Sequence, residues 1–440
     1  MANQRLIMAP ELVGVLGIVA LIFLIALGVP VAFSFIIAAF FGIIYLESFW
    51  IALSTLRTIP YRWAVTYELA PVVLFILMAA LVSQGGVAKI LYEAANRWVG
   101  KIRGSLAMAT VFACGAFATV SGSSVATAGA MGAIALPEMK KHHYDERLAA
   151  GSAAAGGTLG ILIPPSVSFI IYGILVEQSI GKLFIAGILP GIMEIISYVV
   201  VIVIIVQLRP SWAPAGVSYT LKEKLSSLRP IWAVLVLAIV VLWGIYGGIF
   251  TPTEAGGIGA TAAFFILVIN KRMTRKVFLT ALLEAGTLTC AIFLIIIGAM
   301  VFNRFLALSG LTDKIAEIAR IFNSPIQFLV FMMVVYLILG CFMDPMAMII
   351  LTIPIVLPML EELDINLIWF GVIAVRMMEV GMITPPVGLN LFTIRAVNPD
   401  VPSIKIIQGA IPFLIADLIC IVLLIAVPQI SLFLPEGMKF

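Results

Sequence analysis

Residues 160–166 read GILIPPS, and they place two consecutive prolines, Pro164 and Pro165, inside a long apolar run. Proline removes a helical hydrogen bond and clashes with the preceding turn, so this pair predicts a break in a helix. In a membrane, the backbone groups that a break frees must be satisfied by protein, water or an ion. The feature recurs 221 residues later in GMITPPV (381–387), which holds Pro385 and Pro386, the only other Pro-Pro pair in the chain.

The composition is that of a membrane protein. Hydrophobic residues make up 63% of the chain and charged residues only 11%, against roughly 25% charged in a typical soluble domain. The mean hydropathy is +1.19, and many apolar runs approach the roughly 20 residues that a helix needs to cross a bilayer. We therefore predict an all-α polytopic protein embedded in the lipid bilayer. The small net charge of +4 gives no sign of a nucleic-acid partner.

The residue types that enzymes use are scarce in the apolar runs. The four cysteines lie in apolar segments without paired spacing, which predicts small core residues rather than a disulfide or metal framework. We find no paired membrane carboxylates, no histidine cluster and no nucleotide-binding P-loop. We expect a protein that is not an enzyme and that is driven by an ion gradient or by another chain.

The two proline pairs belong to a longer internal repeat. The segment SQGGVAKI (83–90) resembles LSGLTDKI (308–315), and both precede a pair of short apolar segments and a broken helix. Repeats of this kind are typical of secondary transporters. An offset of 221 residues aligns further positions: Ser123 with Asp344, Pro137 with Pro358, and Gly160 with Gly381.

The loops predict the topology. If 104–139 and 325–360 are re-entrant helical hairpins, each half has about five spans, and an odd number inverts the second half relative to the first. Seventeen basic residues then lie on one side and eight on the other, which makes the first side cytoplasmic and both termini external. Charge alone fits hairpin arms that cross fully equally well. The polar tip SGSS (121–124) favours a turn within the membrane, buried in protein or lining a watery cavity.

The expected division of the chain follows the repeat. It runs as follows: 1–103, scaffold helices and arm of the first repeat; 104–182, first hairpin and broken helix of a transport domain; 183–324, scaffold helices, cytoplasmic linker and second arm; 325–400, second hairpin and broken helix of the transport domain; 401–440, last scaffold span.

The first tip, VSGSSVAT (120–127), is rich in small polar side chains. Hydroxyl and free carbonyl oxygens suit a hard cation such as Na⁺, and the N-terminal end of the following helix can face an anion. The structural alternative is an N-cap with small residues that let helices pack closely. The hydroxyls concerned are those of Ser121, Ser123, Ser124 and Thr127, with Ser166 beside the first proline break.

The second tip differs from the first because it carries a carboxylate. Asp344 lies deep in apolar sequence, where an ionisable residue indicates function. It could bind a cation, carry a proton or simply cap the helix that begins at Pro345. Thr384, Gly388 and Asn390 are the polar or small neighbours of the second break.

One further pair of charges lies before the second break. Arg376 and Glu379 are three residues apart on one helical face. Arg376 could hold a substrate carboxylate with two hydrogen bonds, or it could pair with Glu379 and do nothing more. The second reading is the one we favour.

These segments together resemble the large membrane subunit of the tripartite ATP-independent periplasmic (TRAP) transporters. The resemblance covers nearly the whole chain and rests on the following motifs: VSGSSVATAGAMGAIALPEM, GGTLGILIPPS, TPTEAGGIGA, FMDPMAMIILTIPIVLPML and VGMITPPVGLNLF. It implies a Na⁺-driven elevator transporter of the bacterial inner membrane with inverted repeats. It also implies a separate small membrane subunit, a periplasmic substrate-binding protein and an organic-acid substrate such as a C4-dicarboxylate or sialic acid. A stand-alone Na⁺/carboxylate symporter of similar architecture is the alternative.

The resemblance also implies at least two Na⁺ sites, each made by a hairpin tip and the adjacent break. The first is expected at Ser121, Ser123 and Ser124 with Gly157 and Pro164. The second is expected at Gly340 and Asp344 with Thr384 and Gly388. Substrate contacts are expected at Thr127, Ser166, Asn390 and Arg376.

Overall fold

The computed structural model describes residues 8–322, 324–341 and 343–438, and all regular secondary structure in these ranges is helical. Arg5 and Lys439, two of the basic residues counted on the outer side, lie outside the described residues, as do the chain ends. In chain order the α-helices are α1 (Pro10–Ala26), α2 (Val31–Leu46), α3 (Phe49–Ala64), α4 (Ala70–Gln84), α5 (Val87–Val99), α6 (Ser105–Ser121), α7 (Ser124–Lys141), α8 (Glu146–Leu162), α9 (Val167–Leu175), α10 (Ile180–Leu208), α11 (Leu221–Leu228), α12 (Trp232–Tyr246), α13 (Pro252–Ile269), α14 (Arg275–Leu308), α15 (Leu311–Ala319), α16 (Pro325–Gly340), α17 (Pro345–Glu362), α18 (Leu367–Met382), α19 (Leu389–Val397), α20 (Ser403–Ala426) and α21 (Gln429–Glu436).

The helices confirm a protein built to cross a membrane. In the described part of the chain, six helices are long and apolar enough to span a bilayer by length and composition, or up to eight if each of two bent pairs counts as one span. The first arms of the two expected hairpins, α6 and α16, are apolar but have only 17 and 16 residues. The second arm α17 is long enough to cross. Length therefore leaves the re-entrant arrangement a prediction.

Both proline pairs interrupt helices, as the sequence predicts. α8 ends at Leu162 and α9 begins at Val167 after a bend of 42°. α18 ends at Met382, and α19 begins only at Leu389. Pro164 and Pro165 are buried, whereas Pro386 is exposed, so the two breaks differ in their surroundings. In each pair the two prolines are joined by a cis peptide bond.

The helices form two packing groups. In the first, which we call the α14 group, the 34-residue helix α14 contacts α2, α3 and α4, and α13 packs against α4 and α12. In the second, which we call the hairpin group, α6 to α10 pack with α16 to α21. The groups meet where α4 contacts α6 and α9, and where α14 contacts α17. A capping box starts α13, as predicted: Thr251 accepts from the backbone N–H of Glu254, whose side chain accepts from that of Thr251.

Within the hairpin group, the two halves of the chain are interlocked. α9, which follows the first break, packs on α17, the second arm of the other half's helix pair. α19, which follows the second break, packs on α7 in the same way. α10 and α20, which the sequence division assigned to the scaffold, pack against α8, α18 and one another. Packing therefore associates these two helices with the breaks.

The cysteine prediction is correct at three positions and wrong at one. Cys114, Cys341 and Cys420 are free and buried, but Cys290 is exposed. It lies on α14, whose outward face is apolar throughout, so an apolar setting in the sequence does not distinguish the core from the lipid-facing surface.

Contacts between loops agree with the grouping by charge. Each of these ion pairs joins residues that the prediction puts on the same side: Lys140 with Asp400 at 3.7 Å, Lys405 with Glu146 at 3.0 Å, and Arg320 with Glu362 at 2.8 Å. The first two pairs connect the loops that flank α7, α8, α19 and α20, all on the basic side. Which side faces the cytoplasm remains a prediction.

Candidate functional site

The first tip is a closed network of hydroxyl groups. Gly122 has a positive φ of 59°, which lets the chain turn from α6 into α7 within two residues. Thr127 Oγ1 donates its proton to the carbonyl oxygen of Ser123 at 2.8 Å. Since a hydroxyl has one proton, the 2.7 Å contact between Thr127 and Ser121 requires Ser121 to donate. Ser123 caps α7 by accepting from the backbone N–H of Ala126 at 3.3 Å.

The first break lies directly against this tip. A Cβ placed on Gly122 would lie 3.1 Å from the carbonyl oxygen of Pro165, so the turn and the break are in close contact. A Cβ on Gly157 would lie 2.5 Å from that of Ala128, so α8 also touches α7 without space for a side chain. The glycines in this part of α8 therefore allow the backbone of one element to approach that of the other.

One hydroxyl at the first break has no partner. Ser166 is fully buried and precedes α9, yet its Oγ makes no hydrogen bond and does not cap the helix. An unsatisfied buried hydroxyl is costly, so such a group points to something that binds there. Together with the Pro165 carbonyl and the tip hydroxyls, it forms an all-oxygen donor set of the kind that holds Na⁺ at broken helices.

Asn390 connects the second half of the chain to the first tip. It is fully buried and follows the second break, at the start of α19. Its amide donates to Ser124 Oγ at 2.8 Å and to the carbonyl oxygen of Ala154 at 3.1 Å. Ser124 lies 3.2 Å from the Asn390 amide oxygen as well. Two of the predicted site residues, 266 positions apart, are therefore in direct contact.

The carboxylate of the second tip caps a helix. Oδ1 of Asp344 accepts from the backbone N–H of Met346 at 3.0 Å and of Ala347 at 3.2 Å, with Pro345 at the first helical position. This is the capping alternative that the sequence left open, and it satisfies two of the free N–H groups of α17. The side chain of Asp344 is exposed, so its carboxylate remains reachable from outside the helix.

The second break also touches its own tip, but with fewer polar side chains. Cys341 Sγ lies 3.8 Å from the carbonyl oxygen of Thr384 and 3.9 Å from that of Pro385. Thr384 Oγ1 is already donated to Val380 at 2.6 Å. Gly388 has a φ of 57°, and a Cβ there would lie 2.8 Å from the carbonyl oxygen of Met382.

A cavity of about 90 Å³ lies where the hairpin group meets the α14 group. Ser121 and Ser123 of the first tip line one side of it, and Met346, two residues after Asp344, lies close to the second tip. Ser83 of α4 and Glu284 of α14 line the opposite side. Glu284 accepts a 2.9 Å hydrogen bond from Gln84, so the α14 group provides polar atoms here as well.

Arg376 lies elsewhere, in a buried cluster of charges. Its Nη1 contacts Glu194 at 2.6 Å and Glu379 at 2.9 Å, and its Nη2 contacts Asp417 at 2.6 Å. All four side chains are fully buried. The pairing with Glu379 is the reading that the sequence favoured. The alternative, a substrate carboxylate on Arg376, would compete with these three contacts.

Sequence reasoning missed Glu194 and Asp417. Each is a lone acid in the middle of an apolar helix, and such residues mark functional sites. They also occupy equivalent places, because each is 14 residues beyond the first residue of its helix, Ile180 in α10 and Ser403 in α20. The repeat offset could therefore have identified them.

Comparison with known proteins now identifies the family. Residues 18–430 match the family model described as the DctM component of the tripartite ATP-independent periplasmic transporters. The chain belongs to this family of TRAP transporter large permeases. Among its relatives, a C4-dicarboxylate TRAP transporter large permease protein of Pseudomonas aeruginosa is 41% identical over 84% of this chain and 86% of its own length.

Other relatives are named for different substrates. A sialic acid TRAP transporter large permease protein of Vibrio cholerae is 30% identical over 93% of this chain and 95% of its own. Both relatives are named as permeases, which agrees with the expectation that the chain is not an enzyme. The crystal structure of the YdaH transporter of Alcanivorax borkumensis has a TM-score of 0.62 at 16% identity, over 87% of this chain and 90% of that one. This likeness supports a transporter fold for the TRAP permease.

Proposed function

We propose that this TRAP permease is the transmembrane subunit of a Na⁺-coupled importer of an organic acid. The observation that carries the proposal is the meeting of the first tip, the first break and the α14 group around one cavity. Irregular backbone at membrane depth belongs where it lines a site or is buried in protein. The substrate class follows the relatives, which are named for C4-dicarboxylates and sialic acid, both carboxylates.

The first Na⁺ site is proposed at Ser121, Ser123 and Ser124 with Gly157 and Pro164. The unpartnered hydroxyl of Ser166, buried beside the break, supports an oxygen-ligated cation there. The second site is proposed at Gly340 and Asp344 with Thr384 and Gly388. It differs from the first because it offers an exposed carboxylate, which supplies a full negative charge.

Substrate is proposed to bind next to the first tip, near Thr127 and Asn390. A cavity of about 90 Å³ is below the roughly 300 Å³ of a typical ligand pocket, so it must widen to admit an organic acid. Movement of the hairpin group against the α14 group would widen it, because the cavity lies between them. This is the elevator step of the proposal, with the two halves of the chain as inverted repeats.

The boundary of the moving part is proposed to follow the packing. The sequence division places 183–324 and 401–440 in the scaffold. α10 and α20 nevertheless pack on α8 and α18 and contribute Glu194 and Asp417 to the cluster around Arg376. Because breaking buried ion pairs is strongly destabilising, these helices should move with the breaks.

The expected partners are a separate small membrane subunit and a periplasmic substrate-binding protein. The expected location is the bacterial inner membrane, with both termini on the periplasmic side. Reconstitution in liposomes distinguishes this system from the stand-alone symporter. We expect substrate uptake down an inward Na⁺ gradient only when the permease, the small subunit and the binding protein are all present. Strong uptake by this chain alone would favour the stand-alone symporter.

A further inference from the structure

The cluster around Arg376 contains more acid than base. Glu194, Glu379 and Asp417 all contact the one guanidinium, and each is fully buried. In the described residues, no other cation forms an ion pair with any of these three carboxyl groups. With all groups ionised, the cluster would carry a net charge of −2 in the interior of the hairpin group. Buried charges without partners are costly enough that a group neutralises instead.

Each carboxyl group directs one oxygen at the guanidinium or at a neighbour and leaves the other without a hydrogen bond. The unpartnered atoms are Glu194 Oε2, Glu379 Oε1 and Asp417 Oδ2. An ionised carboxylate in a dry interior needs donors at both oxygens, whereas a protonated one needs far less. Three unpartnered oxygens in one cluster therefore indicate that protons are bound here.

The neighbouring helices leave only a few titratable groups to consider. α10 contributes Glu194 and Tyr198, α18 contributes Arg376 and Glu379, and α20 contributes Asp417, with Cys420 one turn further on. α8 adds only the hydroxyl of Thr158, which donates to Glu194 Oε1 at 2.8 Å and lies 2.9 Å from the Tyr198 hydroxyl. The part of the chain that the structure describes contains no group of three or more acidic, cysteine or histidine side chains arranged for a metal ion. The guanidinium occupies the place that a cation would take.

The contacts single out one of the three acids. Glu194 Oε1 accepts from Thr158 and contacts Arg376 at 2.6 Å, and Asp417 has Nη2 of Arg376 to itself at 2.6 Å. Glu379 shares Nη1 with Glu194, at a longer 2.9 Å, and has no other partner. Glu379 is therefore the acid whose negative charge is stabilised least.

We infer that the cluster is a proton-binding site and that Glu379 is the carboxyl group that holds the proton at neutral pH. The proton comes from solvent and converts the carboxylate to the carboxylic acid, with no other reactant. The site is separate from the tips and does not depend on the proposed transport function.

Infrared spectroscopy of the purified chain in lipid at pH 7 tests this inference, because a protonated carboxyl group has a C=O stretching band that shifts in D₂O. We expect the band in the unsubstituted protein and its loss in Glu379→Gln, which resembles the neutral acid in shape. Glu284→Gln and Asp344→Asn should keep it, since they remove acids outside the cluster. Carbon-13 labelling of glutamate carboxyl groups must shift the band, which tests the unsubstituted protein even if a variant fails to fold.

Three results would overturn the inference. No band at pH 7 would mean that all three acids are ionised, with water or another donor on the free oxygens. A band that survives in Glu379→Gln, Glu194→Gln and Asp417→Asn would place the proton elsewhere. A band that is lost only in Asp417→Asn or Glu194→Gln, or that fails to shift with labelled glutamate, would contradict the assignment to Glu379.

Discussion

At the scale of single residues, two glycines bring the second tip and the second break together. A Cβ on Gly340 would lie 2.7 Å from the Cα of Gly381, and a Cβ on Gly381 would lie 2.6 Å from the Cα of Gly340. Backbone faces backbone at this point, so no side chain can rotate away to make room. Small residues at such crossings are typical of helix packing in membranes.

We expect Gly381→Ala to destabilise the protein by about 1–3 kcal/mol, because overpacking forces the two helices apart. The measurement is the thermal midpoint of unfolding of the purified protein in detergent. Gly286→Ala is the matched control, since a Cβ at that exposed position of α14 would meet nothing within 4 Å. An equal change in both variants would contradict the close packing of α16 on α18.

Asn390 gives a second prediction at this scale. Ser124→Ala removes one partner of a fully buried amide, and we expect a loss of about 1–3 kcal/mol because the donor is left unsatisfied. Ser152→Ala should cost less, because that hydroxyl bonds only to a carbonyl of its own helix, at 3.1 Å. Unfolding midpoints that fall equally would mean that the contact between Ser124 and Asn390 contributes nothing.

Much of the first tip could be predicted from sequence, and its partners could not. Local spacing places Ser121, Ser123 and Thr127 on one turn, so their hydroxyl network follows from the chain itself. The contact between Ser124 and Asn390 joins residues from different halves, and only the fold decides which residues meet at that distance. Glu194 and Asp417 are intermediate cases, because the repeat relates them and only the fold brings them to Arg376.

At the scale of helices, the ends and breaks follow from local chemistry. The Pro-Pro pairs break α8 from α9 and α18 from α19, because proline cannot continue a helix. Sequence could not predict that α9 packs on α17 and α19 on α7, since both contacts link the two halves. The sides of the membrane remain a prediction from charge.

Cysteine labelling tests that prediction. In a cysteine-free background, Lys222→Cys should react with a membrane-impermeant maleimide only after the membrane is opened, since the basic side should be cytoplasmic. Glu68→Cys should react in intact cells. Both side chains are exposed, so access does not differ for other reasons. The reverse pattern would invert the topology.

At the scale of the whole molecule, the two packing groups are the parts that should move. Linking them should stop transport. A short cross-linker between Ser83→Cys and Ala126→Cys, which line the cavity from opposite groups, should abolish uptake, and reduction should restore it. A link between Glu146→Cys and Lys405→Cys should leave uptake intact, because their ion pair lies within the hairpin group. Full activity of the first linked protein would contradict movement between the groups.

The Na⁺ dependence of uptake tests the central claim most directly. In liposomes that contain the complete system, we compare the unsubstituted chain with the double variant Ser123→Ala/Ser124→Ala and with Ser152→Ala. We expect the double variant to raise the half-saturating Na⁺ concentration about tenfold, equivalent to about 1.4 kcal/mol of lost binding, with similar expression. Ser152→Ala should leave it unchanged. An unchanged Na⁺ dependence in the double variant would contradict an ion site at the first tip.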